Sequence, residues 1–124
     1  MQSDHHASIE AIVDAYLSSV YSGDTTTLAQ LFNVNAQVFG EIDGNAYHKP
    51  IAAYLNGVAS RQSPQALGEP YRMRLLAVDQ LGSIATATLH SPMLGFNYQL
   101  YLTLRRLEGK WSIVNKTFTN IGTE

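Results

Sequence analysis

From Tyr71 to the end the chain reads as β-structure with almost nothing else in it, and that half limits the fold more than any other feature. "YRMRLLAVDQL" turns at Gly82 into "SIATATLHSP", "MLG" turns into "FNYQLYLTLRRL", and Glu108-Gly109 turns into "KWSIVNKTF". Each segment alternates side chains between two faces, and short Gly-containing connections between such runs join antiparallel neighbours. The result is a meander rather than a βαβ succession. The first half differs. "SIEAIVDAYLSSVYSGD" sets Ile9, Ile12, Val13, Tyr16, Leu17 and Val20 at helical spacing, with Ser8 as cap and Gly23 as stop. "DTTTLAQLF" adds a short helix capped by Asp24, with Leu28, Leu31 and Phe32 inward. "AQVFGEIDGNAYH" predicts a strand pair turning at Asp43-Gly44 or Gly44-Asn45. "KPIAAYLNGVASR" predicts a third helix, with Pro50 in its first turn and Ile51, Tyr54, Leu55 and Val58 on one face. "QSPQALGEP" is a loop. The expectation is an α+β fold, helices packed on an antiparallel sheet.

Length and charge exclude several classes. The 124 residues suit one domain, with residues 1–7 as a loose tail. Charged residues are 15% of the chain, below the usual quarter, so part of the surface is expected to meet a partner subunit or line a pocket. A net charge of −2 gives no footprint for nucleic acid. There is no cysteine, no run long enough to span a membrane and no signal-peptide pattern, so a cytoplasmic protein is expected. No dinucleotide fingerprint or zincin spacing occurs, and His5, His6 and Glu10 read as tail rather than metal ligands; neither cofactor nor metal is expected.

Two stretches carry a resemblance. "AYLSSVYSGDTTTLAQLFNVNAQV" is similar to the N-terminal pattern of the NTF2-like superfamily, which includes ketosteroid isomerase and the SnoaL-like cyclases. The ending "LEGKWSIVNKTF" resembles the putative lumazine-binding family within it, whose members end in a similar Trp-x-Ile-x-Asn-Lys run. The resemblance covers nearly the whole chain. It implies a cone of strongly curved antiparallel sheet around the N-terminal helices, a pocket between the concave sheet face and the first and third helices, and a homodimer through the convex face. It is specific for fold and weak for function, because this fold hosts enzymes, binders and scaffolds.

Alternation sorts the last strands into two faces. Ala85, Ala87, Leu89, Leu100, Leu102, Leu104, Trp111 and Ile113 form an apolar one. Ile84, Thr86, Thr88, His90, Asn97, Gln99, Tyr101, Thr103, Val114, Lys116 and Phe118 form a mixed one. By alternation alone the apolar face packs on the helices. The resemblance implies the reverse: the mixed face lines the pocket and a second subunit covers the apolar one. One bulge is enough to exchange the two.

The chemistry expected of the pocket follows. The ketosteroid isomerase pattern places its phenol at Tyr16, but its base falls on Gly40, with Glu41 and Asp43 out of register, and its acid falls near Thr103. Isomerisation by that route lacks two of three parts. His90 and Lys116 are the candidate catalytic residues: His90 as a base, Lys116 as a Schiff-base former or the holder of an anionic or carbonyl ligand. Against these stand a hydrogen-bonded structural histidine and a lysine whose stem covers apolar surface. Tyr16, Phe32, Tyr54, Gln99, Tyr101, Lys116 and Phe118 are the expected ligand-binding residues. The expected role is binding of an unidentified small organic molecule; a SnoaL-like lyase, isomerase or cyclase and a non-catalytic dimeric scaffold are the alternatives.

Overall fold

The apolar stripes of the first half become three helices: α1 (Gln2–Ser22), α2 (Thr25–Leu31) and α3 (Ile51–Ser60). The strands are β1 (Phe32–Ile42), β2 (Asn45–Pro50), β3 (Arg74–Leu81), β4 (Ile84–Met93), β5 (Phe96–Leu107) and β6 (Lys110–Asn120). This computed structural model describes residues 2–122, with side chains from Ser8 onward. The tail expected over residues 1–7, with His5 and His6, lies outside the described side chains. α1 is helical before Ser8, so Ser8 sits within the helix rather than capping it. Asp24 does cap α2: its carboxylate accepts the Thr27 N–H at 3.1 Å.

The six strands form one sheet in the order β2-β1-β6-β5-β4-β3. The expected meander accounts for β3 to β6, all antiparallel. The sheet as a whole is mixed, because β1 lies parallel to β6. That correction has a simple cause: the α1–α2 pair delivers β1 to the far side of β6, a junction between distant segments that no local pattern announces. The β1–β2 turn is Asp43-Gly44, with φ of 51° and 82°, the doubly left-handed pair that matches strand twist in a two-residue hairpin.

The helices settle which face is inside. Ile9, Val13, Tyr16, Leu17 and Val20 of α1 and Ile51, Tyr54 and Val58 of α3 are buried together with Ala85, Ala87, Leu89, Leu100, Leu102, Leu104, Trp111 and Ile113. The apolar face therefore packs on the helices of its own chain, and the reversed assignment implied by the resemblance is corrected. Leu100, Leu102, Leu104, Trp111 and Ile113 are not a subunit contact surface, so they no longer support a dimer. Ile84 and Tyr101, each more than half exposed, lie on the outer face.

Lys116 and Phe118 are the exceptions, and a bulge explains them. On β6, Thr103 faces Asn115 and Leu104 faces Ile113, so Val114 has no partner of its own. The extra residue inverts the alternation. Beyond it Lys116 stands opposite Leu102, and Phe118 opposite Leu100, both pointing inward and both buried. Thr117 and Thr119 are left exposed on the outer face.

Candidate functional site

The inverted end of β6 builds a cavity of ≈ 60 Å³ between sheet and helices. Tyr16 and Val20 of α1, Tyr54 of α3 and Arg61 just beyond it form one side. Ser91 and Met93 of β4, Tyr98 and Leu100 of β5, and Lys116 and Phe118 of β6 form the other, with Ile42 and Tyr47 at the β1–β2 hairpin. Phe118 meets the Tyr47 ring edge-on at 5.3 Å and the Tyr98 ring at 5.4 Å.

Lys116 is the chemical centre. Its Nζ donates to the Tyr54 hydroxyl oxygen at 2.9 Å. The same ammonium lies 4.5 Å from the Tyr54 ring centroid, 5.4 Å from Tyr16 and 5.5 Å from Phe118. Ring quadrupoles thus replace part of the water that burial removed. The Tyr16 hydroxyl also donates to the Tyr54 oxygen.

These donors set the tyrosines apart. Burial alone would push the Tyr54 hydroxyl up. The Lys116 charge and hydrogen bond, then Arg61 and Tyr16, outweigh burial and hold it below the ordinary phenol value. Tyr16 is raised, first by burial and then by Tyr54, to which it gives its proton in a hydrogen bond. Burial likewise raises Tyr47 and Tyr98, against the pull of Arg61. Arg61 completes the site: its Nη2 is buried with no hydrogen-bond partner among the described residues.

Of the residues singled out by sequence, the fold brings Tyr16, Tyr54, Lys116 and Phe118 to this cavity. Phe32 stands behind it, 6.2 Å from the Tyr16 ring and 6.4 Å from Tyr54. Gln99 and Tyr101 lie elsewhere, in a depression of the outer face with Thr88, Thr117 and Thr119. His90 pairs with Gln99 across the strands and bonds through Nε2 to the Asn97 side chain; it is not among the cavity residues. The reason is one of parity: no bulge interrupts the β4–β5 ladder, so even positions of β4 and odd positions of β5 stay outside. Arg61, Tyr47, Ser91, Met93 and Tyr98 were missed. Arg61 was within reach, because Tyr54, Val58 and Arg61 follow helical spacing on one side of α3.

The empty position of the isomerase-type base also has an explanation. Gly40 pairs with Phe118 across the parallel β1–β6 junction. A Cβ on Gly40 would lie 2.5 Å from Cδ1 and Cζ of the Phe118 ring and closer still to Cε1. The ring occupies the space that a carboxylate side chain would need.

No curated relative matches the chain significantly. Solved structures share its fold. An NTF2-like protein of unknown function from Shewanella baltica superposes with a TM-score of 0.86 at 21% identity, covering 99% of this chain and 98% of its own. Another from Silicibacter pomeroyi gives 0.81 at 23% identity, with 95% and 97% covered. A third, from Methylobacillus flagellatus, gives 0.81 at 24% identity, with 96% and 94% covered. The family model described as "Putative lumazine-binding" matches residues 4–119. With that match over nearly its whole length and an NTF2-like α+β fold beneath it, the chain belongs to this family.

Proposed function

We propose that this protein binds a small organic molecule in the cavity between its sheet and helices α1 and α3. One observation carries the reading: the Lys116 ammonium is buried in the cavity wall, held by a phenol and three aromatic faces. Burying a charge costs several kcal/mol before any compensation. A leucine or methionine would fill the same space without that cost, so a purely structural role explains the residue poorly. The aromatic walls suit one edge of a flat ligand, the rest of which lies outside the ≈ 60 Å³ cavity, and the family description makes lumazine the first compound to try.

The test is mass spectrometry of small molecules retained by the purified protein, followed by calorimetric titration with lumazine and related flat heterocycles. Ser91→Phe should place a ring in the cavity and abolish binding; Ser91 is buried and lines it. Binding that survives Ser91→Phe in a folded protein would locate the ligand elsewhere.

A second reading has its own support. Tyr54, with Lys116 and Tyr16 both donating to its oxygen, is arranged as an acid–base group, as a lyase, isomerase or cyclase requires. Tyr54→Phe separates the two: a binder keeps its ligand, whereas an enzyme binds but no longer turns over. For assembly we infer a homodimer, its contact moved to the outer sheet face, where Phe39, Ile84 and Tyr101 are exposed. A monomer in light scattering would remove that inference.

A further inference from the structure

We infer that the cavity takes a flat organic anion, whose charged end docks on Arg61 beside the Lys116–Tyr54 pair. This deepens the binding reading above and rests on it. Among the described residues lining the cavity there are two cationic side chains, Lys116 and Arg61, and no carboxylate. Asp43 is not in the lining; its carboxylate acts on Tyr98, less strongly than Arg61 does. Tyr54 is the one internal group able to offset a cation, by giving up its proton to become a phenolate beside Lys116. Even then one positive charge remains.

That remainder falls on Arg61. It lines the same cavity as Tyr16, Tyr47, Tyr54 and Tyr98, and its charge acts on all four phenols. Among the described residues its buried Nη2 has no hydrogen-bond partner, although an unsatisfied buried donor is costly and rare in folded proteins. A planar guanidinium with a free N–H is suited to a carboxylate or a similarly flat anionic oxygen pair. The rings of Tyr47, Tyr98 and Phe118, packed edge-on against one another, form an aromatic wall beside it.

The experiment compares benzoate with benzamide, a neutral compound of nearly the same shape, by calorimetry on the whole protein. Benzoate should bind at least about tenfold more tightly, about 1.4 kcal/mol. Arg61→Gln should remove that preference, benzoate losing at least about tenfold more affinity than benzamide. Lys116→Met, which keeps stem volume, should reduce benzoate binding at least about tenfold. Arg61→Lys should keep part of the preference, and it serves as the second variant if Arg61→Gln fails to fold. Equal binding of benzoate and benzamide overturns the anion inference and leaves the binding pocket standing. Failure of both, together with failure of all flat heterocycles, overturns the pocket as well. Benzoate preference that persists in folded Arg61→Gln overturns the assignment to Arg61.

Discussion

Gly40→Ala tests the join between β1 and β6, because two effects of opposite sign compete there. Gly40 is not among the glycines with left-handed φ, so alanine fits its backbone. At such a site Gly→Ala ordinarily stabilises a protein by about 0.4–1 kcal/mol, by restricting the unfolded chain. Here the new methyl would lie 2.5 Å from two atoms of the Phe118 ring. Carbon contacts settle at about 3.5–4.0 Å, so the ring or the strand must retreat by about 1 Å. Phe118 is buried and wedged between Tyr47 and Tyr98, and overpacking of this kind costs about 1–3 kcal/mol. The net expectation is a loss of roughly 0–2.6 kcal/mol, or up to roughly 10 °C in Tm for a chain of this size. Urea denaturation of four proteins measures it: wild type, Gly40→Ala, Phe118→Leu and the double variant. In the Phe118→Leu background the alanine should become neutral or mildly stabilising, giving a coupling energy of about 1 kcal/mol or more. An alanine that stabilises the wild type, or adds independently of Phe118, refutes the reasoning.

Three further outcomes are expected. Lys116→Met should leave the fold intact and its stability unchanged or raised by up to about 4 kcal/mol, because it removes a buried charge while keeping the stem; denaturant midpoints check this. The folded-state pKa of Tyr54 lies below its unfolded value, so its contribution to stability is present above the unfolded phenol value and lost as pH falls through the lowered folded one. Stability relative to Tyr54→Phe should therefore rise with pH across that window, with phenolate absorbance appearing in step, and Lys116→Met should move both to higher pH. Deleting Val114 should remove the bulge yet keep every inward pairing of β6, since Lys116 would still face Leu102. The cost should fall within about 0.5–3 kcal/mol, and the Lys116-dependent phenolate signal should persist.

Much of this architecture was legible in local pattern. The stripe from Ile9 to Val20, the Asp24 cap, the alternation from β3 to β6 and the turns at Gly82, Gly95 and Gly109 each express a rule acting over a few residues. The inward placement of Tyr16 and Tyr54 came from helical spacing, which tolerates small errors because a helix buries a broad stripe. The placement of Gln99, Tyr101 and His90 depended on strand parity, which tolerates none. Lys116 reached the pocket through a bulge that carries no residue signature in "SIVNK". Gly40 and Arg61 gained their meaning only from neighbours far along the chain, Phe118 and the four tyrosines.

The central position of β6 has a consequence for the order of folding. Hairpins link β3, β4, β5 and β6 in succession, each closed by a loop of two residues, and such contacts form early and locally. The β1–β6 contact joins segments separated by most of the chain, and its loop-closure entropy must be met before its bonds contribute. Until then the β1–β2 hairpin has no sheet to join, and Tyr47 and Gly40 are absent from the neighbourhood of Phe118. The cavity is thus expected to close in the slowest folding phase. In stopped-flow refolding, substitutions in the β4–β5 hairpin should alter the folding rate most, whereas Gly40→Ala should act mainly on the unfolding rate.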